Sequence, residues 1–263
     1  LKQRNNFLEA RNNLMKASSI LHKSLFALTM FYCFCVNAQG YDENFSKPIV
    51  TEKGEFTYYE LFPIKTSLGE LIFLDRNLGA LSADVSSVDS WGDLYQWGRA
   101  TDGHEKRFSD TTTSISPTYE AINSLFIIDS AKANDWISSP DDELWNDAER
   151  TNNPCPCGYR LPTESEWRAV LDLGAEIKPT GTGAYYLDIA NGELKLPCAG
   201  LRNAFTGDFQ YQGMRGYYWA GDVTSKGLSG CMDFNKAEIT TNVTIMGFRA
   251  FGRSVRCVKD KTK

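Results

Sequence analysis

Asn153-Pro-Cys-Pro-Cys-Gly-Tyr-Arg-Leu-Pro-Thr-Glu-Ser-Glu-Trp167 is the stretch that decides how this chain folds. Thr163 and Glu166 have the spacing of a capping box. The hydroxyl takes one orphan amide of the first helical turn, and the carboxylate reaches back to the amide of the cap. Trp167, Val170 and Leu171 then fall at i, i+3 and i+4 and form one apolar face. Gly174 supplies the stop. Glu164 and Glu166 also raise a catalytic-carboxylate reading. The first turn, however, is where the helix dipole favours acids, so capping is the simpler account.

Upstream, Glu70–Leu78 (ELIFLDRNL) follows Ser67-Leu-Gly69 and reads as a buried strand after a turn. In Gly92–Arg99 (GDLYQWGR) the spacing of Leu94, Tyr95 and Trp97 before a glycine predicts a short helix. Residues 101–152 read as polar loop, with turn clusters at Ser139-Pro140-Asp141 and Asn152-Asn153-Pro154. A loop that long is functional or elaborates a compact frame. Downstream of the helix the pattern turns to strands and glycine turns: Leu194–Cys198, Gly207–Tyr211, Tyr217–Ala220, Cys231–Phe234, Ile245–Ala250 and Ser254–Val258. One or two helices carrying a strand-rich C-terminal half predict an α+β fold.

The N-terminus reads as an address. From Met15 a short basic segment precedes an apolar run, SLFALTMFYCFCVNA, with small residues at Val36 and Ala38. A signal peptide is expected over 1–38, starting at Met15 and cleaved after Ala38, and a flexible leader over 39–60. The apolar run is short for a membrane anchor, and Cys33 and Cys35 lack the context of a lipid attachment site. The whole chain carries 28 basic and 33 acidic residues, net −5. Without residues 1–38 it keeps 23 basic and 32 acidic residues, net −9. Such a surface repels phosphate backbones and has no polybasic membrane patch, so nucleic-acid binding is not expected.

Export changes how cysteine and histidine read. Cys155, Cys157, Cys198, Cys231 and Cys257 remain, and in an oxidising compartment they point to bridges rather than metal ligands. Cys155-Pro-Cys157 is too closely spaced for a zinc knuckle. His104 is the one imidazole after residue 38 and reads as a solvated loop residue. Neither a nucleophile elbow nor a His-Glu-x-x-His helix is present.

With GDLYQWGR (92–99), Ala199-Gly-Leu-Arg-Asn203, Gly216-Tyr-Tyr-Trp219 and Ser254-Val-Arg-Cys-Val-Lys-Asp260, the opening stretch resembles the Fibrobacter succinogenes major paralogous domain. That family occurs in exported proteins of Bacteroidetes and their relatives. The motifs fall in family order over roughly 66–260, within a domain placed at 61–260. The resemblance implies a C-type-lectin-like α+β fold, related to formylglycine-generating enzymes, with short helices on irregular antiparallel sheets and long loops. It also implies that Cys155 pairs with Cys257. Cys157 departs from the pattern and is a competitor for that partner. Cys198 and Cys231 are candidates for a second bridge between neighbouring strands.

The same resemblance implies an empty catalytic scaffold. The formylglycine-generating oxidase needs a close cysteine pair before its final strand, and that region here holds only Cys231. Lectins of this fold bind sugar through calcium with a late Trp-Asn-Asp. Trp145-Asn146-Asp147 lies before the helix instead, and Asp141-Asp142-Glu143 reads as a solvated loop. No catalytic residue, metal ligand or cofactor is therefore expected, with calcium the one alternative. The expected function is an exported, non-catalytic binding or adhesion module. Its partner is a glycan or protein ligand at the cell surface, and no transmembrane segment remains after signal cleavage. The alternatives are a structural piece of a surface assembly and a degenerate oxidase or carboxylate-based hydrolase. Phe205–Tyr218 (FTGDFQYQGMRGYY) concentrates aromatics and glycines, which nominates Phe209, Tyr211 and Arg215 as ligand-binding residues. Trp219 is expected in a buried strand.

Overall fold

In the computed structural model the capping box closes as the spacing demands. Thr163 Oγ1 accepts from the Glu166 amide at 3.1 Å, and Glu166 Oε2 accepts from the Thr163 amide at 2.9 Å. The helix runs Glu164–Leu171 and stops before Gly174, whose φ of +97° is one that glycine adopts without strain. Arg160 clamps the capping carboxylate with two bonds of 2.7 Å, so the Arg160-Leu-Pro-Thr163 run and the helix form one unit. Asp222 accepts from the Glu164 amide and satisfies another orphan donor from a neighbouring strand. Trp167 and Val170 are fully buried, and Trp167 packs on Phe73 and Tyr218. Burial of each such side chain contributes about 1.5–3 kcal/mol.

The described residues are 49–50, 56–57, 59–120, 123–128, 135–146, 151–225, 228–235 and 242–261. The expected signal peptide, with Cys33 and Cys35, lies outside them. Within the expected leader, Ile49–Val50 pairs antiparallel with Phe56–Thr57. Tyr59 is buried under Arg76. Among the described residues the fold is sheet-rich and mixed, with one α-helix and several small, mostly antiparallel sheets. None of their helices is long and apolar enough to cross a membrane.

Three sheets frame the helix. Leu61–Thr66, Gly69–Leu74, Val258–Lys259 and Tyr159–Arg160 form one, in that order. Ala175–Pro179, Tyr185–Ile189 and Leu194–Pro197 form a meander. The third joins Arg215–Ser225, Leu228–Asn235 and Asn242–Phe248. Strand alternation splits the core across this third sheet. Tyr218, Ala220, Met232 and Phe234 face a cluster with Trp167, Phe73 and Leu187. Trp219 and Cys231 face a second cluster with Trp97, Trp136, Trp145 and Leu161. Gly216 permits the sheet to pack, since a Cβ there would lie 2.1 Å from the Phe234 ring.

Cys155 and Cys257 are bridged inside the second cluster, with Cα atoms 5.9 Å apart. Cys155, not Cys157, takes that partner. The expected Cys198–Cys231 bridge does not form. Cys198 belongs to the first cluster and Cys231 to the second, so the sheet itself separates them.

Residues 92–99 are not the expected helix. Tyr95 exchanges two backbone bonds with Arg253, and the Trp97 amide donates to Arg249 O. Local spacing of apolar residues cannot reveal such distant partners. Buried side chains replace regular structure through the long loop. Trp97 Nε1 donates to Ala220 O, Trp136 Nε1 to Trp97 O, and Trp219 Nε1 to Tyr95 O. Gln96 binds Ile127 O and Ala250 O and accepts from Arg99. Arg249 pairs with Asp142, so the 141–143 acidic run is in part structural.

Thr163→Ala should cost about 1 kcal/mol in urea unfolding. Glu166→Ala should cost more, about 2–3 kcal/mol, because it also strands the partly buried Arg160 guanidinium. The opposite ranking would contradict the clamp.

Candidate functional site

Two places gather chemistry-bearing side chains, and they differ in whether those side chains are already used. The first is buried. His104 is fully buried, not solvated, beside Asp102 and Glu105. Its Nε2 accepts from the Gln96 amide at 3.1 Å, which leaves the proton on Nδ1, 2.7 Å from Asp102 Oδ1. Burial pushes the imidazole below its ordinary value, and Asp102 only partly offsets this, so the ring is held neutral. Glu105 Oε2 accepts from the Gly103 amide, while its Oε1 is buried without a hydrogen bond, 3.6 Å from Lys106 Nζ. Asp102, His104 and Glu105 would otherwise pass for metal ligands. With both ring nitrogens committed, the group is a structural network that ties 102–105 to the Gln96 loop.

The other sequence candidates with reactive side chains are absorbed in the same way. Glu166 sits in the cap, and Glu164 pairs with Arg168 along the helix. Trp145 is buried and Asn146 exposed, with Asp147 outside the described residues. Burial pushes the Cys198 thiol up to about 12, which leaves it unreactive near neutral pH.

The second place is at the surface, and the third sheet builds it. Because alternate residues share a face, Arg215, Tyr217 and Trp219 line one side of the Arg215–Ser225 strand. Their partners across the ladder are Asn235, Asp233 and Cys231. The backbone bonds between Tyr95 and Arg253 lay the Arg253 guanidinium over the same row, 4.4 Å from the Trp219 ring and 5.8 Å from Tyr217. Arg215 lies 5.3 Å from Tyr217 and 5.4 Å from Tyr211. The result is an alternating stack: Tyr211, Arg215, Tyr217, Arg253, Trp219. Phe251 flanks Arg253 and leads on to exposed Phe205 and Phe248.

Tyr211 and Arg215, both nominated from sequence, thus come together. Tyr211 is 44% exposed and has φ of +59°, unusual for a side chain this large. Phe209 is placed elsewhere, its ring between Arg107 and Arg202. Arg253 was not anticipated. It sits in Arg253-Ser-Val-Arg-Cys257, a run that reads as plain strand, and only the fold sets it on Trp219.

Arg253 also differs from the other buried arginines. Arg202 donates to Gly207 O, Ser109 Oγ and Ser109 O. Arg249 binds Ser229, Asp141 O and Asp142. Arg256 binds Asn77, Leu74 O, Asp75 O and Lys195 O. Arg253 is only 7% exposed, yet its Nε has no acceptor and it enters none of the ion pairs among the described residues. The Arg215 Nε is likewise unsatisfied, while its Nη2 lies 3.1 Å from Asp233. Burial, chiefly, pushes the Tyr217 hydroxyl up to about 12, although Arg215 and Arg253 both pull it down. It therefore remains a neutral donor at physiological pH.

No protein-family profile, no curated protein and no solved structure matches this chain.

Two predictions follow from the buried groups. If His104 is committed to Gln96 and Asp102, EDTA, calcium and zinc will each leave the melting temperature unchanged, whereas a bound metal would shift it. Burial also pushes Asp135 up to about 7 and Asp93 to about 6 against their Arg249 and Lys106 partners. Each stays protonated in the folded chain at pH values where the unfolded chain has released the proton. Stability should therefore fall as pH rises from about 4 to 7. Asp135→Asn should raise the melting temperature at pH 8 and leave it nearly unchanged at pH 4.

Proposed function

We propose that this chain is an exported, non-catalytic binding module of a Bacteroidetes-type cell envelope. Its frame is of the C-type-lectin-like kind that the Fibrobacter succinogenes major paralogous resemblance implies. A sheet-rich mixed fold, a capped helix and a bridge from the approach to that helix to the residue before the last strand all support the frame. The bridge supports export as well, since such bonds persist in oxidising compartments.

The observation that carries the functional reading is a contrast in how donors are used. His104, Gln96, Arg99, Arg202, Arg249 and Arg256 spend their hydrogen-bonding groups inside the chain. The Tyr211–Arg215–Tyr217–Arg253 row keeps donors unspent and shows an aromatic ring to solvent. Tyrosine and arginine on a rigid sheet give large contact area at low entropy cost, which suits recognition rather than bond-breaking.

Binding on a glycan array and a surface-protein panel, with and without EDTA, tests this. Binding that survives EDTA and falls about tenfold in Tyr211→Ala is expected. Absence of any ligand, with self-association of the purified chain, would favour a structural piece of a surface assembly. Turnover of any array glycan would favour an enzyme.

A further inference from the structure

We infer that the Arg253 side of the stack is a subsite for a sugar that carries one oxyanion, a carboxylate or a sulfate ester. This deepens the binding-module reading and rests on it.

A cation taken out of water is costly unless something opposes it. Arg202, Arg249 and Arg256 meet that cost with acceptors from their own chain. Arg253, 93% buried by its 7% exposure, has the Trp219 face at 4.4 Å as its principal compensation. A ring face opposes a cation only weakly beside a carboxylate. Its Nε hydrogen is buried without an acceptor, as is that of Arg215, so the terminal nitrogens are what the two side chains can offer to a ligand. An oxyanion at the terminal nitrogens supplies the opposing charge that Arg253 lacks. Guanidinium binds planar or tetrahedral oxyanions through paired N–H groups, and stacking on Trp219 fixes the plane in which that fork is offered. The Tyr217 ring lies between the two guanidiniums, 5.3 Å from Arg215 and 5.8 Å from Arg253.

Charge count and shape narrow the ligand. Arg215 and Arg253 against Asp233 leave one uncompensated positive charge, on a chain whose net charge is −5. That balance suits a single anion and repels densely charged polymers. Exposed Tyr211, held at φ +59°, and half-buried Phe251 flank the cation with apolar faces. The C–H face of a pyranose packs on such rings while its acidic substituent reaches the guanidinium. Strain at Tyr211 is of the kind that recurs at ligand clamps.

Titration of the full chain with four probes tests the assignment. They are a methyl galacturonoside, its methyl ester, a monosulfated galactoside and a short peptide with a free C-terminal carboxylate. Expected is binding of one or both acidic sugars, with at least about tenfold loss on esterification of the uronate if that is the form bound. Arg253→Gln should lose at least about tenfold at an unchanged far-UV spectrum, and Arg253→Lys should fall between. Preference between the uronate and the sulfated sugar identifies which oxyanion is native. Should Arg253→Gln fail to fold, Arg215→Gln, at the exposed end of the pair, is expected to weaken acidic sugars and spare neutral ones. Equal binding of ester and acid, or equal binding by a folded Arg253→Gln, overturns the oxyanion subsite and leaves the binding module standing. Peptide binding as tight as sugar binding overturns the sugar class. Failure of both acidic sugars overturns the subsite, and failure of every glycan and protein overturns the module as well.

Discussion

The Cys155–Cys257 bond is the constraint on which the rest of the structure depends. It joins the approach to the helix to the residue before the final short strand, across a sequence separation of 102. Closing a loop of that size in the unfolded chain is worth about 4–5 kcal/mol in the chain-entropy picture. The chain needs such a bond. Among the described residues between Asp75 and Gly158 it forms little regular structure, and conformational entropy opposes ordering so irregular a segment. Around the bridge, buried indoles donate to loop carbonyls, and Gln96 and Arg256 bind several carbonyls each. Side chains thus do for the loops what ladders do for strands, and among the described residues few buried side-chain polar atoms are left unmatched.

The central strand, Arg215–Ser225, turns that frame into a surface. Its even positions Tyr218 and Ala220 meet the helix-side core, and its odd position Trp219 meets the bridge-side core. The same odd row runs outward through Tyr217 to Arg215, where the core ends and solvent begins. The recognition surface is therefore a continuation of the core and inherits its rigidity. Such a base holds an aromatic–arginine row in place at little entropic cost on binding. The pairing of Tyr95 with Arg253 has a further effect. It replaces a helix at Gly92–Arg99 and sets the Arg253 side chain on Trp219.

What was legible in the sequence was local. Thr163, Glu166 and Gly174 mark the helix because their partners lie within a few residues. Leu71, Phe73 and Leu74 mark a strand by their apolar run. The Cys155–Cys257 pairing was an implication of family resemblance and not of spacing. What was not legible depends on distant partners. GDLYQWGR looks helical until Arg249 and Arg253 take its amides. His104 looks solvated until the Gln96 amide folds over it. Cys198 and Cys231 look like neighbours until a sheet stands between them. Arg202, Arg249, Arg253 and Arg256 carry no local signal of burial and are buried. Of the nominated ligand residues, Tyr211 and Arg215 are together, while Phe209 is held between two other arginines.

Non-reducing proteolytic mapping of the purified protein, alkylated under denaturing conditions, tests the central constraint most directly. The account predicts a cross-link that joins the Cys155 segment to the Cys257 segment, with Cys198 recovered as an alkylated thiol. Alkylated Cys155 and Cys257, or a fragment that links Cys198 to Cys231, would contradict it.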